Sequence, residues 1–237
     1  MRLLAGTSGF SYKEWKGAFY PEKARANEML AFYASRLPIV EINNTFYRLP
    51  KAEQLREWRS QVPDSFKFAV KASRRITHIK RLADCAADVE YFSSVVREIE
   101  PQLASVLFQL PPFQRCDVPR LAEFVRLLPE GYRAAFEFRH PSWFDAAVYD
   151  VLAQRNFALV LSETDETDVA QLPWTARWAY LRLRKTNYTD AELDAWLERL
   201  STAGLEEAQV FFKHEDEAKG PLLASEFLSR YSRASGS

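Results

Sequence analysis

The sequence predicts an α/β protein folded as a single (β/α)8 barrel of the TIM type, with long loops at the carboxyl ends of its strands. Eight short β-rich runs alternate with segments of helical spacing, and parallel strands need such crossovers between them. The length of 237 residues suits a compact barrel, for which about 250 residues is typical. Several runs also alternate polar with apolar residues, whereas parallel strands covered on both faces usually read as continuous apolar stretches. In a barrel the apolar set faces the helices and the polar set meets in the lumen. An open doubly wound sheet is the alternative topology.

The strands are expected near Leu3–Thr7, Ile39–Asn43, Phe66–Val70, Val106–Gln109, Ala134–Phe138, Ala158–Ser162, Trp178–Arg182 and Gln209–Phe212. Between the first two, "NEMLAFYASRL" gathers Met29, Leu30, Phe32, Tyr33 and Leu37 on one broad helical face. "DVPRLAEFVRLL" offers Asp117 as N-cap with Pro119 in the first turn. "TDAELDAWLERL" has Thr189 as cap and Glu192 three residues later, a capping box. The segment "ETDETDVAQLPWTAR" is too short and too interrupted by Pro173 for a full helix. The last helix, "GPLLASEFLSRY", closes a domain spanning 1–231, and 232–237 reads as a disordered polar tail. There is no linker, repeat or low-complexity tract to divide the chain.

Composition narrows the functional classes. Thirty-two basic residues cancel thirty-two acidic ones, so no global field draws in nucleic acid or an anionic membrane. Cys85 and Cys116 stand far apart without a CxxC, which suggests neither a disulfide framework nor a cysteine metal site. No apolar run approaches a membrane span, and "MRLLAGTSGF" never builds the core of a signal peptide. A soluble cytoplasmic protein is expected; its oligomeric state is not readable.

The polar parity points to a site. Side chains two apart share one face of a strand, so Glu41 and Asn43 oppose Val40 and Ile42. Lys67, Ala69 and Lys71 oppose Phe66, Phe68 and Val70; Glu137 and Arg139 oppose Phe136 and Phe138; Arg182 and Arg184 oppose Leu181 and Leu183; Phe211 and Lys213 oppose Val210 and Phe212. The polar residues fall late in each run, toward the end where barrel enzymes bind ligands. Glu41, Lys71, Gln109, Glu137, Arg139, Arg182 and Lys213 would ring one mouth. Cations outnumber acids there, which favours an anionic guest such as phosphate or carboxylate. The alternative is a set of ion pairs that only satisfy one another inside the lumen.

The loops extend this set. "GTSGFSYKEWKGAFYP" has glycines at 6, 9 and 17 around Ser8, a backbone able to cradle an anion but not the nucleophile elbow of a serine hydrolase. Its Tyr12, Trp15, Phe19 and Tyr20 either wall the mouth or pack beneath the loop. Tyr47 follows the second strand. "KASRRITHIKRL" concentrates cations that form either a phosphate site or a solvated face. "RHPSWF" leaves His140 at the rim and offers Trp143 for stacking or for the core. The expected binding set is therefore Ser8, Asn43, Tyr47, Gln109, Arg139, His140, Trp143, Arg182, Arg184 and Lys213, with Glu41, Glu137 and Lys71 as catalytic candidates. No cofactor is required. A divalent metal on Glu41, Glu137, His140, Glu163, Asp165 and His214 is a remote option, because no spacing demands it and the cations would oppose it.

The motifs "GTSGFSYKEWKGAFYP", "VEINNTFYRLP", "KFAVKAS", "FQLPP" and "FEFRHPSWF" resemble, in order, those of the domain of unknown function 72 (YecE-like) family. The resemblance implies a (β/α)8 barrel and brings no established reaction, substrate or cofactor. Toward the carboxyl end the chain departs from the family pattern: "RLRK" stands where "RLHG"-like segments are common, and "FFKHED" where an "FNN"-like turn is common. Both departures, through Arg184 and Lys213, add positive charge at the expected mouth. Three functions compete: an enzyme for a small anionic substrate, a nucleic-acid-binding or phosphoester-processing barrel, and a non-catalytic protein whose lumen charges are structural.

Overall fold

Strand β1 (Arg2–Ser8) pairs in parallel with both β2 (Ile39–Ile42) and β8 (Glu207–Phe212), which closes the sheet on itself. β3 (Lys67–Lys71), β4 (Leu103–Gln109), β5 (Ala134–Glu137), β6 (Ala158–Glu163) and β7 (Trp178–Leu183) complete a barrel whose strands run in sequence order, all parallel. Closure excludes the doubly wound alternative. This computed structural model describes residues 1–213 and 218–235.

Seven α-helices surround the barrel among the described residues: α1 (Met29–Ala34), α2 (Ala52–Ser60), α3 (Ala86–Val96), α4 (Val118–Leu127), α5 (Ala146–Ala153), α6 (Asp190–Thr202) and α7 (Lys219–Ser235). The β6–β7 link has no helix, as Pro173 and the short spacing predict. Two helix starts follow the expected chemistry. The Asp117 carboxylate accepts from the Arg120 N–H at 3.0 Å, and Thr189 with Glu192 forms the reciprocal capping box. The terminal helix carries on through Ser235, so residues 232–235 are its last turn rather than a disordered tail. The polar run "SRAS" misleads there because a helix end exposed to water tolerates polar side chains all round; residues 236–237 lie outside the described part. Among the described residues, no helix is long and apolar enough to cross a membrane.

The main core lies between the sheet and the helices, built from outward strand residues such as Val40, Phe68, Phe108, Phe136, Leu181 and Phe212. A second, smaller cluster fills the lumen: Leu4, Ile39, Ala69, Leu107, Ala135, Val160, Trp178, Tyr180 and Phe211. The expected parity is thus realised. At the amino-terminal end of the lumen, Glu207 pairs with Arg133 at 2.6 Å and Arg2 at 3.6 Å, and Gln209 bridges Glu207 to Ser105. These polar groups satisfy one another below the apolar layer. The carboxyl-terminal end differs.

Candidate active site at the carboxyl end of the barrel

The strands β2, β5 and β7 bring Glu41, Glu137 and Arg182 together in a buried triad. Arg182 donates through Nη2 to Glu41 Oε1 at 2.9 Å and through Nη1 to Glu137 Oε2 at 2.6 Å. Both glutamates are fully buried and Arg182 is 3% exposed. Glu41 also accepts from Ser8 Oγ at 2.7 Å, Asn43 Nδ2 at 2.8 Å and Tyr180 Oη at 2.6 Å. Burial alone would raise the Glu41 pKa, but the Arg182 charge and these three donors outweigh it and hold the group below its ordinary value. Glu137 is likewise pushed up by burial and pulled down further, to about 2, by Arg182, Arg184, Arg139 and Gln109. Tyr180 stays a phenol, its pKa raised by burial and by the Glu41 charge.

Both glutamates were candidates for the general base. In this arrangement both are ionised and four-fold engaged, and carboxylates with depressed pKa values are weak proton acceptors at neutral pH. They hold the arginines in place. Ser8 and Asn43, expected to touch substrate, both donate to Glu41.

Lys71, the last residue of β3, is different. Its ammonium donates to Gln109 Oε1 at 2.8 Å and sits 4.2 Å from the centre of the Phe46 ring. The Gln109 amide turns its Nε2 to Glu137 Oε2 at 2.8 Å, so a neutral group separates the lysine from the carboxylate. No carboxylate among the described residues lies within ion-pair distance of Lys71. Burial first, then the Arg182 charge, lowers its pKa from 10.5 to about 8, with Glu137 and Glu41 opposing and Arg139 adding to the fall.

Arg139 and Arg184 complete the mouth. Arg139 Nε approaches Glu137 Oε1 at 3.2 Å, and Arg184 Nη2 lies 3.5 Å from the same oxygen while donating to Ser162 Oγ. The Nε–H groups of Arg182 and Arg184 are buried without an acceptor. Lys213 stands exposed just beyond β8. Among the described residues the cluster therefore holds two carboxylates against four cations, Lys71, Arg139, Arg182 and Arg184.

Three expected contacts are corrected. Tyr47 is 80% exposed and points away, because residues 44–46 wind into a 3₁₀ turn that ends the strand alternation and turns Phe46 inward instead. Trp143 is a core residue: its ring stacks on Phe138 at 4.5 Å and its Nε1–H donates to the Gln114 carbonyl. His140 serves as a turn cap, its Nδ1 accepting from the Ser142 N–H at 3.2 Å. In the first loop, Trp15 and Tyr20 pack beneath the chain rather than over the mouth. The basic run after β3 is mixed: Arg75 and Lys80 pair with Asp88, while Arg74 and Arg81 are exposed.

The residues weighed as an optional metal set do not gather in one place. Glu163 faces α6 and accepts from Trp196 and Tyr188, and Asp165 holds the Thr186 backbone and hydroxyl. His214 lies outside the described residues, and among the described ones no three His, Cys, Asp or Glu side chains converge.

Sequence reasoning passed over Tyr180, and counted His78 only among the basic residues of the loop after the third strand. Tyr180 shares the inward parity of Arg182, so extending "RLR" back by two residues would have found it. His78 lies on the helical turn Arg75–Ile79, its ring edge-on to Phe46 at 4.8 Å. Burial, then Lys71, Arg139 and Arg74, lowers its pKa to about 4; no periodicity in the sequence signals this.

The comparisons agree with this architecture. The family model described as "Protein of unknown function DUF72" matches residues 4–236. UPF0759 protein YunF of Bacillus subtilis is 30% identical over 141 residues, 56% of this chain and 50% of that protein. UPF0759 protein YecE of Escherichia coli K12 is 34% identical over 113 residues, 47% of this chain and 42% of that one. The chain thus spans about half the length of the curated relatives it matches. A crystal structure of a DUF72 family protein from Thermotoga maritima superposes with a TM-score of 0.85 at 26% identity, covering 98% of this chain and 100% of that chain. The apo 3-keto-D-glucoside 4-epimerase YcjR of E. coli superposes at 0.60 with 12% identity over 98% and 99% of the two chains, a likeness of fold alone. With its closed barrel and a match across nearly its whole length, the chain belongs to the DUF72 family.

Proposed function

We propose that the protein is an enzyme that acts on a small anionic substrate, bearing a phosphate or carboxylate, by general acid/base chemistry at the carboxyl end of the barrel. The observation that carries this is the surplus of cations around the buried triad, two carboxylates against four cations. Arg182 is already neutralised by its two glutamates. Arg139 and Arg184 share what remains of Glu137, and Lys71 has only an amide, so an anion would supply the missing charge. In this reading Arg139, Arg184 and Lys213 hold the anion, Lys71 moves the proton, and Glu41 and Glu137 fix the arginines. A pKa near 8 suits Lys71 to that task, since a catalytic group works best with a pKa close to ambient pH. The same surplus of positive charge would repel a divalent cation.

The test is thermal unfolding in phosphate, with chloride at matched ionic strength as reference. An anion at a hundred times its Kd stabilises a protein by about 2.7 kcal/mol. The wild type should show a saturable rise in Tm that Lys71→Ala combined with Arg139→Ala abolishes while the fold persists. An equal rise in the double variant would refute the site.

One observation favours a second occupant. Tyr47, Ile79, Phe113 and Phe144 stand exposed on the turns after β2, β3, β4 and β5, and Arg81 lies over the Phe113 ring at 5.6 Å. Single-stranded nucleic acid would stack on such rings and would bind with a steep salt dependence. A flat salt response removes this alternative.

A further inference from the structure

Lys71 is placed for more than proton transfer. We infer that its amine is a nucleophile that forms an imine with a carbonyl-bearing anion, which narrows the substrate class to keto acids or phosphorylated aldehydes and ketones. This rests on the anion site proposed above.

The geometry supports it in three ways. The amine lies at the carboxyl end of its strand, where its backbone is fixed: Thr45 Oγ1 donates to the Lys71 carbonyl at 2.7 Å. Two neutral contacts orient the nitrogen, the Phe46 ring face and the Gln109 amide oxygen, and neither locks it as a salt bridge with a carboxylate would. Arg139 and Arg184, converging on Glu137 Oε1, are placed to hold the charged end of a guest whose carbonyl reaches the lysine. The titratable and charged groups around it come from three strands and the turn after β3: Glu41 on β2, Glu137 and Arg139 at β5, Arg182 and Arg184 at β7, with His78 and Arg74 on the turn. Their balance is positive, which favours the free amine. A fall in pKa from 10.5 to about 8 raises the free-amine fraction at neutral pH by about two orders of magnitude.

The step balances without any further reagent. The nitrogen lone pair adds to the carbonyl carbon, a proton passes from nitrogen to oxygen, and the resulting carbinolamine loses water to give the imine. No electron acceptor or metal takes part.

Pyridoxal 5′-phosphate, an aldehyde that carries a phosphate, is the probe. The full chain is treated at pH 7 with less than one equivalent, reduced with borohydride and mapped by peptide mass. Lys71 should be labelled at least tenfold faster than any other lysine. Its rate should follow a midpoint near pH 8, and pyridoxal without the phosphate should lose the preference. Labelling spread over surface lysines, with Lys71 no faster than they are, overturns the imine. Inorganic phosphate is then scored by Tm on the same protein. A phosphate shift that needs Arg139 leaves the anion site standing while the nucleophile falls; absence of both effects removes the two together.

Discussion

Arg182 illustrates how much one side chain can decide. A guanidinium buried between two carboxylates is compensated only while both remain. Glu137→Gln keeps the shape but leaves Arg182, Arg139 and Arg184 sharing one charge less, and breaking such a buried pair costs about 3–5 kcal/mol. Urea unfolding should show a loss of that size, and a loss below 1 kcal/mol would mean the triad is more solvated than its burial indicates. Acid should act on the same group. With a folded pKa near 2 against 4.5 unfolded, the unfolded chain binds more protons between those values. The contribution of Glu137 is therefore complete above pH 4.5 and disappears as pH falls toward 2, on the order of 3 kcal/mol in all. In Glu137→Gln that part of the acid transition should vanish. At this scale the sequence was legible wherever strand alternation held: Glu41, Lys71, Gln109, Glu137, Arg139, Arg182 and Arg184 all meet at one end. It failed at Tyr47, Trp143 and His140, each one turn past a strand end, where short helical turns reset which side chain points inward.

Among the elements, β1 has no room for a side chain at Gly6, where it passes β2. A Cβ on Gly6 would lie 1.9 Å from the Ile39 carbonyl oxygen of β2 and 2.9 Å from the Tyr33 hydroxyl. The first contact is with backbone, so only strand separation relieves it. Gly6→Ala should cost about 3 kcal/mol or more, near the upper end for overpacked cores. Near-wild-type stability in that variant would mean that β1 and β2 pair less tightly than their register indicates. Gly9 has a φ of +92°, and a Cβ there would strike the Tyr12 ring, so β1 and the loop after it each need a glycine, for two different reasons. Strand existence was plain from the sequence because β-rich runs with fixed parity repeat eight times. Helix ends were plain where a cap marks them, at Asp117 and Thr189. The extent of α7 was not, since nothing in its polar last turn distinguishes a helix from free chain.

Closure depends on the whole ring. β8 returns to β1 through six registered pairs from Arg2↔Glu207 to Thr7↔Phe212, and α7 packs over both strands with Phe227 against Phe212. Arg230 ties that helix to α6 through Asp190 and Asp194. Removing residues 219–237 should uncover the apolar outer faces of β1 and β8. The truncated protein should bind an apolar dye and lose cooperative unfolding while keeping strand content; a sharp wild-type-like transition would show that the barrel closes without its last helix. The net charge of zero concealed the site at this scale, because the surplus of cations at one end is offset by acids spread elsewhere. Only residue parity revealed it.

The grip of one β7 guanidinium on both β2 and β5 has a mechanical result. Three walls of the upper cup are laced across its width, so the vessel cannot stretch to admit a bulkier guest. Choice among guests then falls to the segments above the rim, which could be exchanged between relatives without loosening what lies beneath.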